Sequence, residues 1–178
     1  MSRELLRRAT DYAQDVVSGL TDAELRLATP CSDWNAGRVV LHLADVADGL
    51  VGLVETGHLA LPEPARVDDP EPVCVLQACL GRLAAALATT TDEERVDAAA
   101  RAGAIEFTMH GWDIGVARNH DHVTPAELAD DVRALAESQV TGDVRGSIFA
   151  APVEVPAAAL PSDRLAGFLG RRRAVLTR

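Results

Sequence analysis

No lysine occurs among the 178 residues; all 17 basic side chains are arginines, set against 27 acidic ones for a formal charge of −10. An excess of that sign repels the phosphates of nucleic acid and the headgroups of an anionic membrane, so neither is an expected partner. Exclusive use of Arg, alongside abundant Ala, Gly and Val, reads as the coding bias of a GC-rich genome, such as an actinobacterial one, rather than as a functional arginine patch. Aromatic residues are equally scarce, with two Trp, one Tyr and three Phe. The core must then be assembled from Leu, Val and Ala, side chains suited to close helix packing. Three cysteines, Cys31, Cys74 and Cys79, leave one thiol over whichever pair is joined, and no charged-then-apolar leader opens the chain. The expected compartment is a reducing cytoplasm. Long apolar runs are missing as well: the stretch 39–54 is broken by His42, Asp45 and Asp48, short of the ~18 consecutive residues a membrane span needs.

What is present is the ordinary composition of one globular domain spanning residues 1–178, 48% hydrophobic and 25% charged. From Arg3 to Leu20 apolar residues recur at three- and four-residue steps, the period of an amphipathic helix. Thr21 and Glu24 have the spacing of a capping box for a short turn through Leu27. Asn35 is a natural N-cap for a second long helix running to about Thr56 and closing on Gly57, with Val39, Leu43, Val46, Leu50, Leu53 and Val54 along one stripe. A proline-rich surface loop follows, and the apolar period resumes over Val73–Leu87. Thr91 and Glu94 suggest another capping box, opening a helix that could reach Asn119, in which Gly103, Gly111 and Gly115 permit close helix approach. Thr124, Pro125 and Glu127 combine an N-cap, a first-turn proline and an N3 acid for a helix to about Val140. An extended Phe149–Pro156 segment and a short helix over Ser162–Leu169 complete the chain. No set of alternating strands is sufficient for a sheet, so the expected class is all-α.

Glu106 and His110 are four residues apart in a predicted helix, which stacks them on one face and lets both address a single ion. A carboxylate oxygen and a neutral imidazole are both good Zn²⁺ ligands, and open zinc sites commonly use three protein ligands. His42, on the apolar-stripe region of another long helix, is the best third candidate, because a buried histidine needs a hydrogen-bonding or metal partner to offset lost hydration. Helix bundles build metal sites from inward-facing side chains of this kind. By spacing alone, a solvated Glu and a satisfied core His remain the alternative. A mixed N/O set also admits Ni²⁺, Fe²⁺ or Mn²⁺.

Three segments carry a further signal. Thr29-Pro30-Cys31-Ser32-Asp33-Trp34 followed by His42-Leu43-Ala44, then Glu106-Phe107-Thr108-Met109-His110-Gly111-Trp112-Asp113, then Ala151–Pro156 with Arg164–Arg171, occur in that order. The set resembles the mycothiol-dependent maleylpyruvate isomerase N-terminal family, part of the DinB-like group of four-helix metalloproteins. The resemblance implies a DinB-like four-helix bundle with additional short helices, and His42, Glu106 and His110 as its metal ligands. It further implies use of a low-molecular-weight thiol, mycothiol, in isomerisation or S-transfer. The isomerase proper carries an additional C-terminal domain, and this chain is expected to be a stand-alone member without it. The stretch 89–98 is also shorter than the family's usual connection, which alters the mouth of the expected site.

Asp113, three residues beyond His110, is the candidate catalytic residue: it could accept a hydrogen bond from a ligating imidazole or from substrate, or else be a helix-surface carboxylate. Trp34 and Trp112 read as packing anchors, with pocket lining as the alternative, and Cys31 as a structural thiol, with metal ligation or attack on substrate as the alternative. His120 and His122, flanking Asp121, read as a solvated loop; His58 as a helix-end residue facing free carbonyls; Arg171, Arg172 and Arg173 as a solvated tail. Three functions follow as expectations. The leading one is a metal-dependent enzyme, probing a small electrophilic metabolite with a thiol; the second is thiol-independent lyase, cyclase, dehydratase or hydrolase chemistry at the same ion. The third is a non-catalytic ligand-binding protein. Expected partners are a small-molecule substrate and, in assembly, a second copy of the chain.

Overall fold

A computed structural model describes residues 2–31, 34–118, 124–142, 145–146 and 149–173. Among these residues there are seven helices and no strand: α1 (Ser2–Val17), α2 (Asp22–Leu25), α3 (Ala36–Thr56), α4 (Pro72–Thr89), α5 (Glu93–Ala117), α6 (Ala126–Gln139) and α7 (Pro161–Phe168). The fold is all-α, as its sequence period predicts. Four long helices form the bundle, with α5 packed between α1 and α3, and α4 on the far side of α3. Leu6, Ala9, Ala13 and Val16 of α1 meet Val39, Leu43 and Leu50 of α3 and Ala100, Ala104 and Phe107 of α5 in one apolar core. Helix α4 is long and apolar enough, by length and composition, to cross a membrane. Core helices of bundles meet the same test, and here Leu76, Cys79, Leu80, Leu83 and Ala86 of α4 are buried in the core.

Several boundaries follow from local chemistry. The Asn35 side chain accepts the Arg38 N–H at 2.8 Å, and Gly57 ends the same helix at φ +82°, a conformation that costs glycine little. The capping box of α2 forms in both directions, Glu24 N–H to Thr21 Oγ1 at 3.3 Å and Thr21 N–H to Glu24 Oε2 at 2.9 Å. Two expected caps are corrected. Asp92, not Thr91, caps α5, its side chain accepting the Arg95 N–H at 3.1 Å while also pairing with the Arg95 guanidinium at 2.9 Å. One carboxylate thus satisfies an orphan donor, opposes the helix dipole and holds an arginine, which a threonine hydroxyl cannot do. Thr124 does not cap α6, because its hydroxyl is hydrogen-bonded to the Tyr12 hydroxyl at 3.0 Å in the interior.

Helix α5 is buried around most of its circumference and is admitted to the bundle by its glycines. A Cβ at Gly103 would lie 2.7 Å from Leu6 Cδ1 and 2.9 Å from Leu50 Cδ1; one at Gly111 would lie 2.7 Å from Tyr12 Cε1. The Tyr12 ring is rigid and pinned through its hydroxyl to Thr124, and burial pushes the phenol up to about 12 despite that hydrogen bond. Gly111→Ala therefore overpacks the α1–α5 contact at a cost of about 1–3 kcal/mol. The better helix propensity of alanine offsets only about 1 kcal/mol of this. A fall of several degrees in Tm is expected, and an unchanged or raised Tm in calorimetry would show that α1 has room to retreat.

Candidate metal centre

The loop before α3 is drawn tight by its own backbone. Ala28 and Asn35 form a β-bridge, Thr29 N–H donates to the Trp34 carbonyl at 3.1 Å, and Thr29 Oγ1 accepts the Cys31 N–H at 3.2 Å. This places Cys31 and Trp34 over the first turns of α3, facing α5. His42 projects from α3 toward Glu106 and His110, one turn apart on α5. Glu106 Oε2 lies 3.5 Å from His42 Nε2 and 3.4 Å from His110 Nε2. The two imidazole centroids are 4.8 Å apart and nearly perpendicular, and the Trp34 ring covers them at 5.0 Å from His42 and 6.3 Å from His110.

Asp113 is fully buried one turn beyond His110, and its Oδ2 lies 3.0 Å from His110 Nδ1. A carboxylate offers only acceptors, so the hydrogen bond assigns a proton to Nδ1 and leaves Nε2, whose lone pair is open to a second proton or an ion, facing Glu106. The same Oδ2 accepts from Arg171 Nε at 3.1 Å. Arg171 reaches it because α7 ends in a Schellman turn: Gly170 has φ +83°, and the Arg171 N–H donates to the Ala166 carbonyl at 2.8 Å. Asp113 Oδ1 is buried with no hydrogen-bond partner among the described residues. The surface reading of Asp113 is thereby excluded.

Burial would push Glu106 up, but the His110 and His42 imidazoles outweigh it and hold the carboxyl well below its usual range. Burial would push His110 down, yet Asp113 and then Glu106 raise it above its ordinary value. In the ion-free site Glu106 contributes stability above an unfolded value of 4.5, lost as pH falls through its depressed folded value. His110 contributes below an unfolded value of 6.5, lost as pH rises through its raised folded value, so both contributions are complete only between 4.5 and 6.5. An ion needs His110 neutral at Nε2. Zn²⁺ affinity is therefore expected to climb about tenfold per pH unit for each displaced proton up to the raised His110 value, then flatten. Zn²⁺ titrations across a pH series measure this, and a flat profile from acid to neutral pH would contradict it.

The donor set fits a small divalent cation. At metal–ligand bonds of roughly 2.0–2.1 Å, neighbouring corners of a tetrahedron stand about 3.4 Å apart. The 3.4 and 3.5 Å separations match that spacing and exceed a normal hydrogen bond. The atoms that His42, Glu106 and His110 can offer all lie within 4.8 Å of one another, and Cys31, His110 and Asp113 form an overlapping group of the same kind. Cys31, His42, Glu106 and His110 line a cavity of about 830 Å³, within the range that holds small molecules.

Three residues at this site depart from the favoured reading of their sequence. Trp34 lines the cavity as well as packing, Cys31 lines it too, and Arg171 is an ion-pair partner of Asp113 rather than part of a solvated tail. Burial and then the Asp113 charge push the Cys31 thiol up, so it is a protonated wall group. Arg172 and Arg173 are exposed, Trp112 is a buried packing residue, and His58 is exposed, its backbone N–H meeting Thr56 Oγ1 at 3.3 Å. His120, Asp121 and His122 lie outside the described residues.

The model of the mycothiol maleylpyruvate isomerase N-terminal domain matches residues 6–115. The chain belongs to this family. The matched segment contains His42, Glu106, His110 and Asp113, and it stops short of α6, α7 and Arg171. Among curated proteins and among solved structures no significant match to the chain was found. Membership in this mycothiol maleylpyruvate isomerase family accords with the DinB-like bundle and with a group of residues able to hold a metal ion.

Proposed function

We propose that residues 1–178 act as one metal-binding domain and that this family member is a divalent-metal-dependent enzyme, using a thiol such as mycothiol for S-transfer to, or isomerisation of, a small electrophile. The supporting observation is a single carboxylate oxygen, Glu106 Oε2, set at 3.4–3.5 Å from two imidazole nitrogens carried on different helices, all three residues lining the cavity. In this reading His42, Glu106 and His110 hold the ion, for which Zn²⁺ is the first candidate. When bound, the ion would supply a positive centre that keeps a thiol deprotonated and polarises an electrophile. Asp113 holds the His110 proton on Nδ1 and so keeps Nε2 aimed at the site. Arg171 fixes the same oxygen of Asp113. Trp34 covers the two imidazoles and limits access of water, which strengthens every electrostatic interaction beneath it.

The test is product formation from a small electrophile, with mycothiol and Zn²⁺ each supplied or withheld. Activity should require both and vanish in a variant with alanine at positions 42, 106 and 110. Equal turnover without thiol would replace this reading by thiol-independent chemistry at the same residues. A conjugate formed as fast by the triple variant would end it.

A further inference from the structure

The cavity extends well beyond the three polar residues that line it at His42, Glu106 and His110, and the way it does so is unexplained by metal binding. Helices α3 and α5 run antiparallel, with the Arg95 guanidinium near the start of α5 donating to the Glu55 carbonyl at the end of α3 at 2.9 Å. Along that pair, Val46 and Leu50 follow His42 at one and two turns, while Ala102 and Ala98 precede Glu106 at one and two turns, and all four line the cavity. Eight residues of helix span about 12 Å. The wall on α3 is branched and apolar, and the wall on α5 is alanine at these two turns with Ile105 beside Glu106, a surface that is apolar apart from Arg101. Arg101, the charged side chain on this stretch, is ion-paired with Asp97.

The outer rim is apolar too. Leu59 and Leu61 line the same cavity while remaining 54% and 45% exposed, more than a side chain placed only for core packing would be. They are held there. A Cβ at Gly49 would meet Leu61 Cδ2 at 3.0 Å and Leu59 Cδ1 at 3.4 Å, so the segment lies directly on α3. Downstream, Arg66 clamps the loop to the same helix through Asp45 and, at 2.7 Å, Asp48.

We propose that the molecule acted on at His42, Glu106 and His110 carries an unbranched aliphatic tail of about 12 Å, laid between α3 and α5 and shielded by Leu59 and Leu61. The proposal rests on the preceding reading for the reacting end, but the tail site is built from different residues and is tested separately. A polar sugar thiol gains nothing from such a surface, so the tail belongs to the co-substrate. Each methylene buried along it adds the same increment of affinity until the channel is filled.

The experiment is calorimetric titration of the full chain with straight-chain 1-alkanols from hexanol to decanol, with and without added Zn²⁺. Dissociation constants should fall by roughly three- to fourfold per methylene and level off once the channel is filled. Ala102→Phe, one turn from Glu106, should stop the gain at a shorter chain than Ala98→Phe, two turns away; general destabilisation would not produce that order. Leu59→Ser and Leu61→Ser, at exposed positions where folding is not at stake, should weaken the longer alkanols several-fold and the shortest least. Affinity independent of chain length in the wild type, or the same chain-length profile in all four variants, overturns the proposal. Since the series run without Zn²⁺ needs no ion, failure of the metal reading would leave that series intact, and failure of the tail site would leave Zn²⁺ uptake intact.

Discussion

Glu106→Gln is expected to lower Zn²⁺ affinity by well over a hundredfold while leaving the bundle folded. The carboxylate is the one anion among the three candidate ligands, and its Oε2 is shared between His42 and His110 at 3.5 and 3.4 Å. Glutamine keeps the volume and one oxygen but removes the charge that balances the ion. Losing a hydrogen-bond partner behind a metal ligand typically costs about 10–100-fold in affinity, and losing the charge of a ligand itself must exceed that. Stability should respond differently. In the ion-free protein the Glu106 and His110 contributions are both complete only between 4.5 and 6.5, so the variant's loss of stability is largest there and shrinks as pH rises through the raised His110 value. Zn²⁺ titration by calorimetry and denaturant midpoints at two pH values separate these effects. Wild-type affinity in the glutamine variant would show that the ion, if any, sits elsewhere.

The parts of this site that could be read in sequence are those governed by local spacing. Asn35 and Gly57 delimit α3 because capping and a left-handed C-terminus are decided within a few residues. Glu106 and His110 share a face for the same reason, since a four-residue step in a helix permits nothing else. Thr124 misled because a hydroxyl can serve either its own helix or a distant partner, and Tyr12, 112 residues earlier, won it. Asp92 displaced Thr91 as a cap because the same carboxylate also binds Arg95. Arg171 was the hardest to foresee: its partner Asp113 is 58 residues away, and its own residue type does not distinguish it from the exposed Arg172 beside it. The available signal was Gly170, whose left-handed turn at a helix end sends the next residue back toward the bundle. Trp34 carried a comparable signal in its position beside the cap of the helix that bears His42. Compositional scarcity of aromatics made it easier to assign that ring to the core than to a cavity wall.

Asp113→Asn isolates charge from shape at the residue that orients His110. An asparagine can place its oxygen where Oδ2 now accepts from His110 Nδ1 at 3.0 Å and Arg171 Nε at 3.1 Å. Its amide nitrogen then occupies the position of Oδ1, already without a partner among the described residues. The geometry survives, and the anion is lost. His110 is raised by Asp113 before Glu106, so in the variant its proton leaves at lower pH and Zn²⁺ uptake should begin at lower pH. The affinity reached at high pH should nevertheless be lower, by about 10–100-fold, because the imidazole is less basic and less firmly aimed. A shift in onset opposite in sign to the change in plateau is not produced by simple loosening of the helix. Asp113→Ala adds a stability cost, leaving the largely buried Arg171 guanidinium without its counter-ion, at about 3–5 kcal/mol if the charge cannot reach water. Arg171→Met in the Asp113→Ala background should recover part of that loss without restoring Zn²⁺ affinity. An Asn variant that takes up Zn²⁺ with the wild-type pH profile and plateau would reduce Asp113 to a packing residue and detach the C-terminal segment from the chemistry.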